Sequence, residues 1–321
     1  MLSELNVCSE ELNTFSEQQK VVFVVGPTAS GKSQWALEKA IQTGGSIVNI
    51  DSIQVYQGLE IGAASPSAAE QSQAPHYLYS YVVAPEEMTA GRYIQDFYKL
   101  LKKPIRFPLF VVGGTGFYIQ ALEKGMYDVS PVPPEVRLQI ENELTLHGAE
   151  RLHQELLRKD PQSFIHVNDH YRLVRALEII RYHEKTPSEM KLHAEKNKNP
   201  LPFRLIKFGF SFSKEEFVQR VRQRTQQMIK KGIIEETEFF LKQNCQSWAP
   251  LVSVGFKETV EYLQTNKNLD WLQLAIEQST MQLIKKQKTW FKRDKSVLWS
   301  ELDRTESASI DQKLDQFLHE D

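Results

Sequence analysis

The chain has 321 residues, 41% apolar and 25% charged, with a formal net charge of −2. That composition is ordinary for a globular protein and allows about two domains with a full hydrophobic core that needs no staples. The near-neutral charge argues neither for nor against a nucleic-acid partner. The two cysteines, Cys8 and Cys245, lie outside any C-x-x-C or His-rich cluster, so no disulfide framework or zinc site is expected.

Residues 1–19 read as a polar leader without the regions of a signal peptide. No apolar run approaches the roughly 18 residues of a membrane span, so a cytoplasmic chain without a membrane partner is expected. The apolar run Val21–Val25 predicts a buried strand over 20–25. Gly26-Pro27-Thr28-Ala29-Ser30-Gly31-Lys32-Ser33 follows, and a helix is predicted from Lys32 to Gln42, stopped by Thr43-Gly44-Gly45. This is the G-x-x-x-x-G-K-[ST] pattern between a strand and a helix. Its backbone N–H groups and the helix dipole suit a di- or triphosphate, with Lys32 on the terminal phosphates and the Ser33 hydroxyl on Mg²⁺. The motif specifies phosphate; it specifies neither nucleotide nor hydrolysis.

Ser46–Ile50 reads as a second strand that delivers Asp51 at its C-terminal end. An extended piece over 76–83, a helix over 89–103 and a strand over 107–112 follow, the last ending in Gly113-Gly114-Thr115-Gly116. Alternating strands and helices predict an α/β fold, a P-loop NTPase-like parallel sheet flanked by helices. Ligands in such sheets sit at the C-terminal strand ends, where the P-loop, Asp51 and Thr115 all fall. Two Pro-rich breaks, at 130–134 and 196–202, bracket several short helices and define an all-helical insertion. The expected organisation is a leader over 1–19, a catalytic core over 20–129 and 203–300, the insertion over 130–202, and an acidic tail over 301–321. Phe203–Phe212 resumes a strand, Ser213-Lys214-Glu215-Glu216 opens a long helix with a capping box, helix continues to Lys292, and Ser296–Trp299 closes the sheet.

Asp51 has three possible jobs: holding Mg²⁺, acting as a general base, or capping a turn. The strand over 107–112 ends in glycines rather than in a Walker-B carboxylate, which argues against a motor-type ATPase or GTPase. A small-molecule kinase and an enzyme that expels pyrophosphate from a pyrophosphate ester both remain. Gly113 and Gly114 would admit close backbone approach, and Thr115 could bond the acceptor or a phosphate. Arg220 and Arg224 share one helix face and could clamp pyrophosphate, or line a solvated face. Arg172 and Arg175 could meet nucleic-acid phosphates or pair with Glu178. Lys285, Lys286, Lys288, Lys292, Arg293 and Lys295 surround Trp290 and Phe291, a mixture that suits RNA or an amphipathic helix with its aromatics in the core.

Taken in order, these blocks resemble the tRNA dimethylallyltransferases, the tRNA isopentenyltransferases or IPP transferase family, from about Val21 to Arg293. The matching blocks are Gly26–Ser33, Asp51–Tyr56, Ile61-Gly62, Ala74–His76, Val112–Tyr118, Asn168-Asp169, Arg175–Glu178, Val254–Glu258 and Lys285–Trp290. The resemblance implies transfer of a dimethylallyl group from dimethylallyl diphosphate to N6 of the adenosine 3′ of the anticodon, at position 37, by an S_N2-like step. It gives Asp51 the N6 proton, Thr115 support of the reacting centre, and Arg224 the departing pyrophosphate. Gly26, Pro27, Thr28, Ala29, Ser30, Gly31, Lys32 and Ser33 hold the diphosphate, with Mg²⁺ as cofactor at Ser33. Contacts to the tRNA anticodon arm are implied for Asp51, Ser52, Ile53, Gln54, Arg137, Arg172, Arg175, Gly255, Lys257, Lys285, Lys286, Gln287, Lys288, Trp290 and Lys292. A monomer is the default. A metabolite kinase and a prenyltransferase of free adenine nucleotides stand as alternatives. The chain departs from the family at Phe256, where tyrosine is usual, at Met281 and Lys286, where arginine is common, and at Tyr182–Lys185, where a small Thr-Gly is usual.

Overall fold

The computed structural model describes residues 19–125, 132–196, 203–301 and 307–320. The leader over 1–18 with Cys8, the start of the first Pro-rich break and most of the second lie outside them. Within the described residues, the chain divides into two compact units, 120–200 and the remainder. No helix of the described residues is long and apolar enough to cross a membrane.

The larger unit is built on six parallel strands in the order β3-β2-β4-β1-β5-β6. These are β1 (Lys20–Val25), β2 (Ser46–Asn49), β3 (His76–Tyr77), β4 (Leu109–Gly113), β5 (Arg204–Ser211) and β6 (Val297–Glu301). β1 lies at the centre, and Val21 to Val24 are fully buried because both faces of a parallel sheet are covered by helices. The extended piece expected over 76–83 is shorter, because Leu78 and Ser80 adopt positive φ of 61° and 46° and break the strand.

α1 (Lys32–Thr43) follows β1 and ends at Gly44 in the left-handed conformation, as the Gly-Gly pair predicts. Its Trp35 packs edge-on against Phe110 and Phe208. α2 (Glu60–Ala63) and α3 (Ala68–Gln71) are single turns between β2 and β3. α4 (Ala90–Leu101) precedes β4, and α5 (Gly116–Lys124) follows it.

The unit over 120–200 contains α6 (Pro134–His147), α7 (Ala149–Lys159), α8 (His170–His183) and α9 (Pro187–Lys196). Ile140, Leu152, Leu156, Leu173, Val174, Leu177 and Ile180 close its own core. Arg181 ties three helices by donating to Glu143 at 2.8 Å and to Glu155 at 2.7 Å.

The larger unit resumes with β5, α10 (Lys214–Lys231) and α11 (Ile233–Lys242), then α12 (Phe256–Gln264) and α13 (Leu269–Phe291). α10 opens with the expected capping box, Ser213 with Glu216. The expected acidic tail contains a helix, α14 (Ser307–His319), docked on the sheet. Ile310, Leu314 and Phe317 recur at helical spacing and enter the core beside Trp35, while Asp311 pairs with Lys39 at 2.7 Å and Glu320 with Arg204 at 2.8 Å. Asp311 and Glu320 therefore balance two cations of the larger unit.

Candidate active site

β1 runs into Gly26, whose φ of 135° and nearness to Phe210 exclude a side chain: a Cβ there would stand 2.6 Å from Phe210 O. The loop then turns through Ala29 and Gly31, with φ of 62° and 80°, into α1. Among the described residues no side chain caps that helix, and its first turn holds no acidic residue. Ser30 is fully buried and its hydroxyl has no partner among the described residues. Open first-turn N–H groups and a buried orphan hydroxyl form a cradle for an anion.

Lys32 lies in the cradle with Nζ donating to Pro27 O at 3.1 Å. Burial pushes Lys32 down to about 8; the Asp51 carboxylate opposes this and the Arg224 guanidinium adds to it. Burial likewise lowers Arg224, again against the pull of Asp51. Lys32, Arg224 and Asp51 therefore interact as one charged cluster. Arg220 does not share it: its guanidinium stacks on the Phe212 ring at 3.9 Å. Of the two candidates on this helix face, the arginine in the cluster is Arg224.

Asp51 is set by a residue the sequence did not single out. Asn49, fully buried at the end of β2, accepts the Asp51 N–H at 2.8 Å and donates to Asp51 O and Leu78 O at 3.0 and 2.9 Å. Asp51 Oδ1 accepts the Ile53 N–H at 2.9 Å, so the turn-capping role is real. No hydrogen bond reaches Oδ2 among the described residues, so the second oxygen stays open for chemistry. Thr115 accepts the Ser52 N–H at 3.0 Å and donates to Ser52 Oγ at 3.3 Å. It braces the Asp51 turn directly.

The Gly113-Gly114-Thr115-Gly116 block has a packing cause. A Cβ on Gly113 would stand 2.5 Å from the Ile50 carbonyl carbon, one on Gly114 2.3 Å from Gln287 Nε2, and one on Gly116 2.1 Å from Trp290 Nε1. Gln287 Oε1 accepts the Thr28 N–H at 2.9 Å and its Nε2 donates to Gly114 O at 3.0 Å. α13 thus joins the P-loop to the glycine turn. Gln287, expected as an RNA contact, has both ends of its amide engaged within the protein.

The basic segment divides by face. Lys285, Lys286 and Lys292 are exposed, whereas Ile284 and Phe291 are buried. Lys288 donates to Phe212 O at 3.4 Å and lies 5.3 Å over the Phe217 ring. Met281 packs on the Phe212, Phe217, Val221 and Ile284 cluster with Ala29 of the P-loop, which accounts for an apolar side chain there. Phe256 is fully buried against Gly62. Gly255 has a φ of 98° and donates to Glu258 at 2.8 Å, while Lys257 lies 3.4 Å from the same carboxylate. Ser52, Ile53 and Gln54 are half-buried beside Asp51.

In the unit over 120–200, the three expected RNA arginines are paired with carboxylates. Arg172 bonds Asp169 at 2.9 Å, Arg175 bonds Glu178 at 3.0 Å, and Arg137 bonds Glu141 at 2.8 Å. Arg175 therefore takes the Glu178 pairing that the sequence left open. Ser33 is exposed on the first turn of α1. Among the described residues no group of three or more His, Cys, Asp or Glu gathers as a metal site. Ser33 would offer Mg²⁺ a single hydroxyl ligand.

The family model described as IPP transferase matches residues 54–294. A tRNA dimethylallyltransferase of Bdellovibrio bacteriovorus is 49% identical over 286 residues, covering 88% of this chain and 93% of the relative. One from Geobacter metallireducens is 36% identical, covering 89% and 93%. A crystal structure of the tRNA isopentenylpyrophosphate transferase of Bacillus halodurans superposes with a TM-score of 0.66 at 26% identity, over 94% of this chain and 97% of that one. The chain belongs to the IPP transferase family.

Proposed function

We propose that this protein transfers a dimethylallyl group from dimethylallyl diphosphate to N6 of the adenosine 3′ of the anticodon in tRNA. The observation that carries the reading is the cluster at the strand ends. The Asp51 carboxylate, which keeps its Oδ2 open, feels the charges of Lys32 and Arg224 beside an uncapped helix N-terminus. One side of this site takes a proton and the other takes negative charge, as alkyl transfer from a diphosphate requires.

The amine nitrogen attacks the allylic carbon bonded to oxygen. The new C–N bond forms as the C–O bond breaks, its electron pair leaves with diphosphate, and the N6 proton passes to Asp51. An exocyclic aromatic amine is a weak nucleophile, so the placement of Asp51 by Asn49 and Thr115 matters. Charge grows on the leaving oxygens in the transition state. The loop N–H groups, Ser30, Lys32 and Arg224 are preorganised to meet it. Ser33 would hold Mg²⁺ together with the diphosphate, where the ion supplies further neutralisation of the leaving group. The acceptor base must leave its stack to reach Asp51, at a cost of a few kcal/mol, which RNA contacts offset.

The test is mass spectrometry of nucleosides from an anticodon-arm RNA after incubation with dimethylallyl diphosphate. The reading predicts N6-dimethylallyladenosine at the position 3′ of the anticodon. An unmodified RNA, with ATP turnover on a small acceptor instead, would replace this reading with a kinase.

A further inference from the structure

Glu236 lies on α11, which carries none of the strand-end residues, yet its carboxylate is engaged by the loop that follows Asp51. Oε2 accepts the Ile61 N–H and Oε1 the Gly62 N–H, each at 2.8 Å. These N–H groups belong to α2. The far end of α2 closes on the active-site segment: Gln54 Nε2 donates to Ala63 O and Ala64 O, both at 3.1 Å. One turn of helix therefore connects Glu236 to Gln54. Packing gives that turn little room to shift. A Cβ on Gly62 would stand 2.2 Å from the Phe256 ring, and one on Gly58 2.7 Å from Phe240. The chemical end of the segment is anchored separately, Asp51 by Asn49 and Ser52 by Thr115.

We propose that Glu236 is a positioning residue for RNA, which through α2 fixes the Gln54 amide so that its Oε1 meets a hydrogen-bond donor on the acceptor RNA, while Asp51 is placed independently. The inference rests on Gln54 being an RNA contact. No hydrogen bond reaches Gln54 Oε1 among the described residues, so that acceptor is open. A carboxylate suits the clamp because it offers two acceptor oxygens and no donor, whereas an amide would set an NH₂ against one backbone N–H. The charged groups facing Glu236 are Glu60 on α2, Glu235 on α11, and Lys230 and Lys231 at the end of α10; the last three share a 580 Å³ cleft with it. Burial pushes Glu236 up to about 7, with Glu60 adding to the rise and the two N–H bonds opposing it. The clamp has both acceptors above that pH and loses one as the pH falls through it.

The test is steady-state kinetics on an anticodon-arm RNA between pH 6 and 8.5, with wild type, Glu236→Gln, Gln54→Ala and the double variant. At pH 8, Glu236→Gln should raise the RNA KM roughly five- to tenfold, the loss of one hydrogen bond, with kcat and the donor KM unchanged. Gln54→Ala should raise the RNA KM by a similar factor, and the double variant by no more than either single change. The wild-type RNA KM should fall as pH rises through about 7, relative to Gln54→Ala, a comparison that leaves Glu236 intact should Glu236→Gln fold poorly. Additive single effects, identical pH profiles, or a lower kcat with unchanged RNA KM would overturn the inference. If Gln54→Ala alone leaves the RNA KM unchanged, the RNA contact at Gln54 is what fails, and the inference falls with it, while dimethylallyl transfer itself stands or falls on the nucleoside analysis.

Discussion

Asp51 holds its turn with one oxygen and leaves the other open, so its two roles separate under mutation. Asp51→Asn, which keeps an oxygen for the Ile53 N–H and removes the base, should lower transfer by about a hundred- to ten-thousand-fold, the range for a general base, while RNA still shifts on a gel. Turnover at the wild-type rate would remove Asp51 as the base. Lys32 makes a pH prediction. Its amine, lowered to about 8, is mostly charged at pH 7 and mostly neutral at pH 9. Donor affinity should therefore fall about tenfold over that interval relative to Lys32→Arg, whose guanidinium stays charged. Calorimetry with dimethylallyl diphosphate reads it, and parallel pH curves for the two proteins would contradict it. The sign for folding is opposite. A buried amine with a depressed pKa disfavours the folded state while charged, so its unfavourable contribution is relieved as pH rises from about 8 toward 10.5.

At the scale of elements, the site depends on how α13 meets two loops. Gln287 joins Thr28 to Gly114, so Gln287→Ala should loosen the cradle and raise the donor KM roughly five- to tenfold, with exposed Lys285 and Lys286 left in place. A donor KM equal to wild type would show that the P-loop holds its shape unaided. The P-loop, Asp51 and Thr115 are readable from the chain because their chemistry is written in short spacings next to strands. The Gln287 bridge is not, since it closes across 173 residues and exists only once β4 lies beside β1. Asn49 is hidden for another reason: inside a strand pattern it looks like any polar residue, and its role appears only when its amide meets the turn beyond it. Arg220 and Arg224 are equivalent by helical spacing, and only the folded chain shows Arg220 stacked on the Phe212 ring.

At the scale of the molecule, the strand order places the P-loop, Asp51 and Thr115 together at the C-terminal ends of neighbouring parallel strands of a single sheet. The α/β character is readable from alternating strand and helix patterns. The docking of α14 is not, because its acidic composition masks the spacing of Ile310, Leu314 and Phe317. RNA binding should rest on exposed cations such as Lys285, Lys286 and Lys292. Replacing all three by Ala should reduce the slope of log affinity against log salt by about two to three. An unchanged slope would assign this face to solvent. The central claim is that the P-loop grips the leaving group rather than the group transferred. It is tested most directly with dimethylallyl diphosphate labelled separately in its carbon chain and its phosphorus, incubated with an anticodon-arm RNA. The account predicts that carbon label enters the RNA while phosphorus label is released as diphosphate, one for one. Phosphorus label in the acceptor, or no carbon label in the RNA, would contradict it.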